Sequence, residues 1–113
     1  MGRPTISTHV LDTATGRPAA GFAVTLFRIG DDGRPVRMTQ ALTDGDGRVR
    51  DLLERPLAAG VYRLEFHPAH GTATGEAPFF ERVAVDVRVD DVGRSYHVPL
   101  LLSPFGLTTY RGS

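Results

Sequence analysis

The chain contains no cysteine. That absence excludes disulfides, thiol nucleophiles and zinc sites built on thiolates. Net charge is absent too: 13 basic residues, every one an arginine, balance 13 acidic residues. The balance argues against nucleic acid or an anionic membrane as a partner held by bulk electrostatics. The arginines are spread along the chain and form no basic block. No stretch approaches the roughly 18 apolar residues of a membrane span. No basic-then-apolar leader precedes the first strand pattern, because Met1-Gly2-Arg3-Pro4 runs straight into Thr5–Asp12. Position 6 is Ile where a myristoylation motif has Ser or Thr, and the final Arg-Gly-Ser is no peroxisomal signal. The expected location is the cytoplasm.

What is present is punctuation. Among 113 residues stand 13 glycines and 8 prolines, which disfavour long helices and favour short strands joined by turns. The length suits one domain spanning residues 1–113, large enough to bury a core without a metal or disulfide staple. Period-two alternation marks strands at Thr5–Asp12, Phe22–Ile29, Pro35–Thr43, near Arg48–Asp51, Val61–His67, Phe80–Val89, Tyr96–Leu102 and Leu107–Tyr110. Thr13–Pro18, Gly30–Gly33 and Asp44–Gly47 read as turns. Only Leu52–Leu57 and Ala69–Gly75 have room for a helical turn, and Pro56, Gly71 and Gly75 weaken both. The expected architecture is all-β: an antiparallel two-sheet sandwich of about eight strands with at most one short helix.

Candidate chemistry is sparse. His9 and His97 each sit inside an apolar strand pattern, where an imidazole must be hydrogen-bonded or face a cleft. His67 and His70 flank Pro68-Ala69, but no Asp or Cys nearby supplies a third metal ligand, so they read as solvated. Asp44-Gly45-Asp46-Gly47 opens like a calcium loop, yet its fifth and sixth positions are Arg48 and Val49; a tight turn is the better reading. Asp31-Asp32 and Asp90-Asp91 read as solvated turns at strand ends. The C-terminus is unusual, since Pro99–Leu107 stays apolar before Tyr110-Arg111-Gly112-Ser113. Terminal residues ordinarily fray and turn polar, so such a tail is either a docked strand or part of a site.

Four blocks, taken in order, resemble the transthyretin-like 5-hydroxyisourate hydrolases. They are Ile6–Asp12 with Gly16–Ala19, Thr43–Arg48, Tyr96–Gly106 and the closing Tyr110–Ser113. The likeness covers nearly the whole chain, and the terminal tetrapeptide is the mark that separates these hydrolases from the hormone-carrying transthyretins. The resemblance implies a homotetramer, a dimer of dimers, with sites in the channel between dimers and no metal or organic cofactor. It implies hydrolysis of 5-hydroxyisourate to 2-oxo-4-hydroxy-4-carboxy-5-ureidoimidazoline on the route from urate to allantoin.

The residues carried over are His9, Arg48, His97 and Ser113 as catalytic groups, with His9, Arg48, Tyr110 and Arg111 against the substrate. In that scheme a histidine takes the proton of water, His9 and His97 sharing the base duty undivided. Arg48 steadies the ring oxygens and the developing oxyanion. Arg50 reads as the structural arginine of the pair, and Tyr110 and Arg111 shape the pocket and hold the tail. His67 and His70 match nothing catalytic. Two departures from the family pattern, His70–Ala77 and Phe79–Arg82, fall outside the matched site. The alternatives are a carrier of a small aromatic ligand and a structural sandwich of the regulatory or adhesive kind.

Overall fold

The computed structural model describes residues 3–68 and 78–113. Its nine strands are β1 (Ile6–Asp12), β2 (Arg17–Pro18), β3 (Ala23–Ile29), β4 (Pro35–Leu42), β5 (Arg48–Val49), β6 (Gly60–His67), β7 (Val83–Val89), β8 (Tyr96–Leu102) and β9 (Leu107–Thr109). One sheet runs β2-β1-β8-β9 with β5 also on β1, and the other runs β4-β3-β6-β7. The two-sheet sandwich is as expected.

Alternation explains which residues meet between the sheets. Ile6, Thr8 and Val10 of β1 are buried, as are Tyr62, Leu64 and Phe66 of β6 and Val98 and Leu100 of β8. Their neighbours in sequence point outward, because successive strand side chains alternate faces. Thr8 is tolerated inside because its hydroxyl donates to the Val98 carbonyl at 2.6 Å.

Three details differ from the expectation. One pairing is parallel: β1 and β8 run alongside each other in register from Ile6↔Tyr96 to Asp12↔Leu102. Leu52–Leu57 forms no helix; Leu52 and Leu53 are buried, the Asp51 carboxylate caps the Leu53 and Glu54 N–H groups, and Glu54 takes a left-handed φ of 55°. The strand expected from Phe80 begins at Val83, which pairs with Phe66. Two positions earlier the register would bring Glu81 opposite Pro68, which has no N–H to give. The possible helical turn at Ala69–Gly75, and His70 with it, lie outside the described residues.

The long edge of β1 away from β8 is shared by two short strands. β5 takes Thr8 and His9, while β2 takes Leu11 and Asp12. Gly47 stands at the handover, its carbonyl accepting the Val10 N–H at 2.7 Å. It has a φ of +76°, and a Cβ there would lie 2.5 Å from the Val10 carbonyl oxygen. Only glycine satisfies both demands.

Candidate active site

The outward face of the β5-β1-β8 region gathers polar side chains in a way the strand register dictates. Ser7 lies directly opposite His97 across the parallel pair, and His9 lies opposite Pro99 on one side and Arg48 on the other. All three strands are short of cover on this face, so His9, Arg48 and His97 are half-buried rather than sealed in the core.

Arg48 owes its place to the turn before it. The Asp44 carboxylate accepts the Asp46 N–H at 2.9 Å and the Arg48 N–H at 3.0 Å, closing the turn that delivers Arg48 to β5. Those bonds, the one from the Arg48 N–H above all, hold the Asp44 carboxyl below the usual carboxylate range. The same turn presents the Asp46 carbonyl to His9, whose Nε2 lies 2.9 Å from it.

His97 is held on two sides. Its Nδ1 lies 2.8 Å from the Ser7 hydroxyl. Its carbonyl accepts the Gly112 N–H at 2.7 Å, which folds the tail back onto β8. Burial first, then the neighbouring Arg48 and His9 charges, depress the pKa of the His97 imidazole. The ring is therefore a neutral base at pH 7.

A cavity of about 360 Å³ opens beside this ring, lined by Ser7, Arg48, Arg50, His97, Gly112 and Ser113 among others. The sequence-predicted residues do not all share it. Tyr110 and Arg111 border a second cavity of about 470 Å³ on the other side of His97, with Val85, Val87 and Val98. There the Arg111 guanidinium stacks on the Tyr96 ring at 5.6 Å. Tyr96 is itself fixed, its hydroxyl donating to Asp90 Oδ1 and accepting the Asp91 N–H, both at 2.9 Å. So Arg111 anchors the tail, while Ser113 reaches the first cavity.

His67 ends β6, its Nε2 lying 3.4 Å from the Glu65 carboxylate and 3.4 Å from the Thr25 hydroxyl. It belongs to the opposite sheet from His9, Arg48 and His97.

The profile of the HIUase/Transthyretin family matches residues 6–112 of this chain. The chain belongs to that family. A 5-hydroxyisourate hydrolase of Deinococcus radiodurans is 45% identical over 119 residues, a match covering 99% of this chain and 98% of the relative. The solved 5-hydroxyisourate hydrolase of Klebsiella pneumoniae superposes with a TM-score of 0.84 at 35% identity, covering 97% of this chain and 99% of that one. Sea bream transthyretin in complex with thyroxine superposes equally well, with a TM-score of 0.86 at 34% identity and 95% and 93% coverage. Fold alone therefore does not part the two branches of the HIUase/transthyretin family.

Two further groups touch His97, Ser7 and Gly112, and neither is among the site residues that the motif blocks single out. Ser7 stands two residues from His9 and so shares its face, which alternation alone makes visible. In the sequence Gly112 is one letter of the terminal motif; its contact with the imidazole depends on the tail turning back. Arg50, read as structural, lines the same cavity as Arg48 and sits 4.0 Å from the Asp46 carboxylate.

Proposed function

We propose that this protein is a 5-hydroxyisourate hydrolase acting in urate degradation, with residues 1–113 forming one hydrolase domain. The observation that carries the reading is the His97 imidazole lining one cavity with Arg48 and Ser113. Near-full-length likeness to hydrolases supports it from a second direction.

The reaction adds water across a cyclic amide bond. The water oxygen attacks the ring carbonyl carbon and the C–N bond breaks. The nitrogen takes a proton, the ring opens, and the carbonyl carbon becomes the carboxylate of 2-oxo-4-hydroxy-4-carboxy-5-ureidoimidazoline. A histidine of the His9–His97 pair removes the proton from water, for which a neutral imidazole is suited. Arg48 offers a forked set of donors to the ring oxygens and to the charge that develops on the attacked carbonyl. Ser113 borders the same space and orients the histidine or the water. His9 and Arg48 also bind the ring, while Tyr110 and Arg111, from the neighbouring cavity across His97, hold the tail in place and extend the substrate surface. Every step uses groups of the chain itself, with no cofactor or metal.

The active assembly is a homotetramer, a dimer of dimers, in the cytoplasm. Two observations favour assembly. β7 and β9 each stand at one edge of their sheet, and Phe105 and Tyr110 leave large apolar surface exposed at 83% and 55%.

The test is direct. Urate oxidase generates 5-hydroxyisourate in the cuvette, and the protein is added while the intermediate's ultraviolet absorbance decays. Acceleration over spontaneous decay is expected, and its absence rejects the hydrolase. His97→Ala and Arg48→Ala are each expected to lower the rate by at least ~100-fold.

A further inference from the structure

The two histidines of the site are held by different kinds of partner. His9 Nε2 faces a backbone carbonyl, that of Asp46. A carbonyl only accepts, so the neutral His9 ring carries its proton on Nε2 and its tautomer is set. His97 Nδ1 instead faces the Ser7 hydroxyl at 2.8 Å, a group that both donates and accepts. Ser7 can accept from Nδ1–H when Nε2 is bare, and it can donate to Nδ1 when the proton sits on Nε2.

This contact is built into the backbone. Ser7 and His97 are direct partners in the middle of the parallel ladder, flanked by Ile6↔Tyr96 and Thr8↔Val98. On the opposite edge of the ring the bare Cα of Gly112 lies against Cδ2. Nδ1 is therefore occupied and the ring plane is fixed. Among the described residues no protein group bonds Nε2. It is the nitrogen left for water or substrate.

We infer that Ser7 is a positioning residue for the hydrolysis, its hydroxyl holding the His97 ring by Nδ1 so that Nε2 performs the proton transfers. The inference rests on the hydrolase reading for its kinetic consequences. The Ser7 hydroxyl accepts from Nδ1–H while Nε2 takes the proton of the attacking water, and keeps that bond while Nε2 passes the proton to the departing ring nitrogen. Because Ser7 is neutral, it orients the ring without the charge that would make a resting imidazolium. The charged and titratable groups around His97 include His9 from β1 and Arg48 and Arg50 from the β5 segment, with Ser113 of the tail in the same cavity as the two arginines. Across the second cavity stand Arg88, Asp90 and Arg111.

Ser7→Ala should lower kcat by ~10-fold or more while KM stays within ~2-fold, and Ser7→Thr, which keeps the hydroxyl, should restore most of the loss. Wild-type kcat in Ser7→Ala overturns the inference. So does a Ser7→Thr variant as slow as Ser7→Ala, provided its thermal midpoint is unchanged. Should Ser7→Ala fail to fold, Ser7→Val, a strand former without a polar side chain, replaces it, with the same outcomes counted the same way.

Nitrogen-15 NMR of the histidine rings separates this inference from the hydrolase reading, because it needs no substrate. In the wild-type protein the neutral His97 ring should show the Nδ1–H form with Nε2 bare, and His9 a single Nε2–H form. In Ser7→Ala the His97 shifts alone should move. Unchanged His97 shifts overturn the inference even in an active enzyme. An inactive wild type with the expected shifts removes the hydrolase and leaves the Ser7–His97 contact standing.

Discussion

Gly112 lies so close to His97 that a Cβ on it would sit 2.6 Å from Cδ2 of the imidazole. Even alanine must therefore push either the tail or the ring aside. Gly112→Ala is expected to lower kcat by ~10- to 100-fold, the scale on which sub-ångström to one-ångström misplacements act on catalytic geometry. The exposed tail adds little to the core, so the thermal midpoint should hardly change. Steady-state kinetics beside a melting curve checks this, and full activity would show that the tail does not press on the ring.

The pH response of His97 has a definite sign. Its imidazole is held below its ordinary value of about 6.5, by burial and then by Arg48 and His9. The neutral base accordingly persists as pH falls through 6.5, and the acidic limb of kcat/KM lies below that value. Removing the Arg48 charge should move the His97 titration upward. An NMR titration of wild type and Arg48→Ala measures the shift, and a His97 midpoint above 6.5 in the wild type contradicts the assignment. Folding follows the same linkage. The unfolded chain binds the His97 proton more readily than the folded one, so this group's contribution to stability declines as pH falls through its unfolded value.

Asp44 acts on the site at one remove. Its carboxylate accepts the N–H groups of Asp46 and Arg48, and that turn sets both the Arg48 side chain and the carbonyl that meets His9. Asp44→Ala should cost ~10-fold in kcat/KM, whereas Asp44→Asn, which keeps an accepting oxygen, should cost much less. Equal losses in both variants would mean that the charge, and not the turn, is what matters.

Gly47→Ala is a prediction about stability rather than chemistry. The residue has a φ of +76° and packs against the Val10 carbonyl oxygen and the Pro18 side chain. The left-handed backbone alone costs an alanine about 1 kcal/mol or more, and the contacts add to it. A fall of at least ~4 °C in the thermal midpoint is expected. An unchanged midpoint would mean that the β5-β1-β2 edge relaxes freely around the added methyl.

Deleting Tyr110–Ser113 should abolish activity and leave a folded sandwich. The tail adds one bridge to β8 and the stack of Arg111 on the buried Tyr96, and it supplies none of the core side chains itself. Circular dichroism and the absorbance assay together read both halves of the expectation. An active truncation would assign the tail a structural role only.

Alternation in Ile6–Asp12, Val61–His67 and Val83–Val89 determined by itself which side chains face the core, because strand periodicity is local. The dense turns between alternating segments likewise pointed to the class of fold, while the absence of cysteine closed off thiol chemistry. The motif blocks named His9, Arg48 and His97 as candidates. What periodicity cannot supply is which strand lies beside which. Ser7 meets His97 across 90 residues only because β1 and β8 pair in parallel, in one register out of several that the same apolar faces would permit. The tail is the second case. Its residues were visible as a tag, but only the bridge from Gly112 to the His97 carbonyl sends Arg111 to one cavity and Ser113 to the other. Side-chain facing is written in neighbouring residues, whereas the company each side chain keeps is decided by hydrogen-bonded register between distant segments.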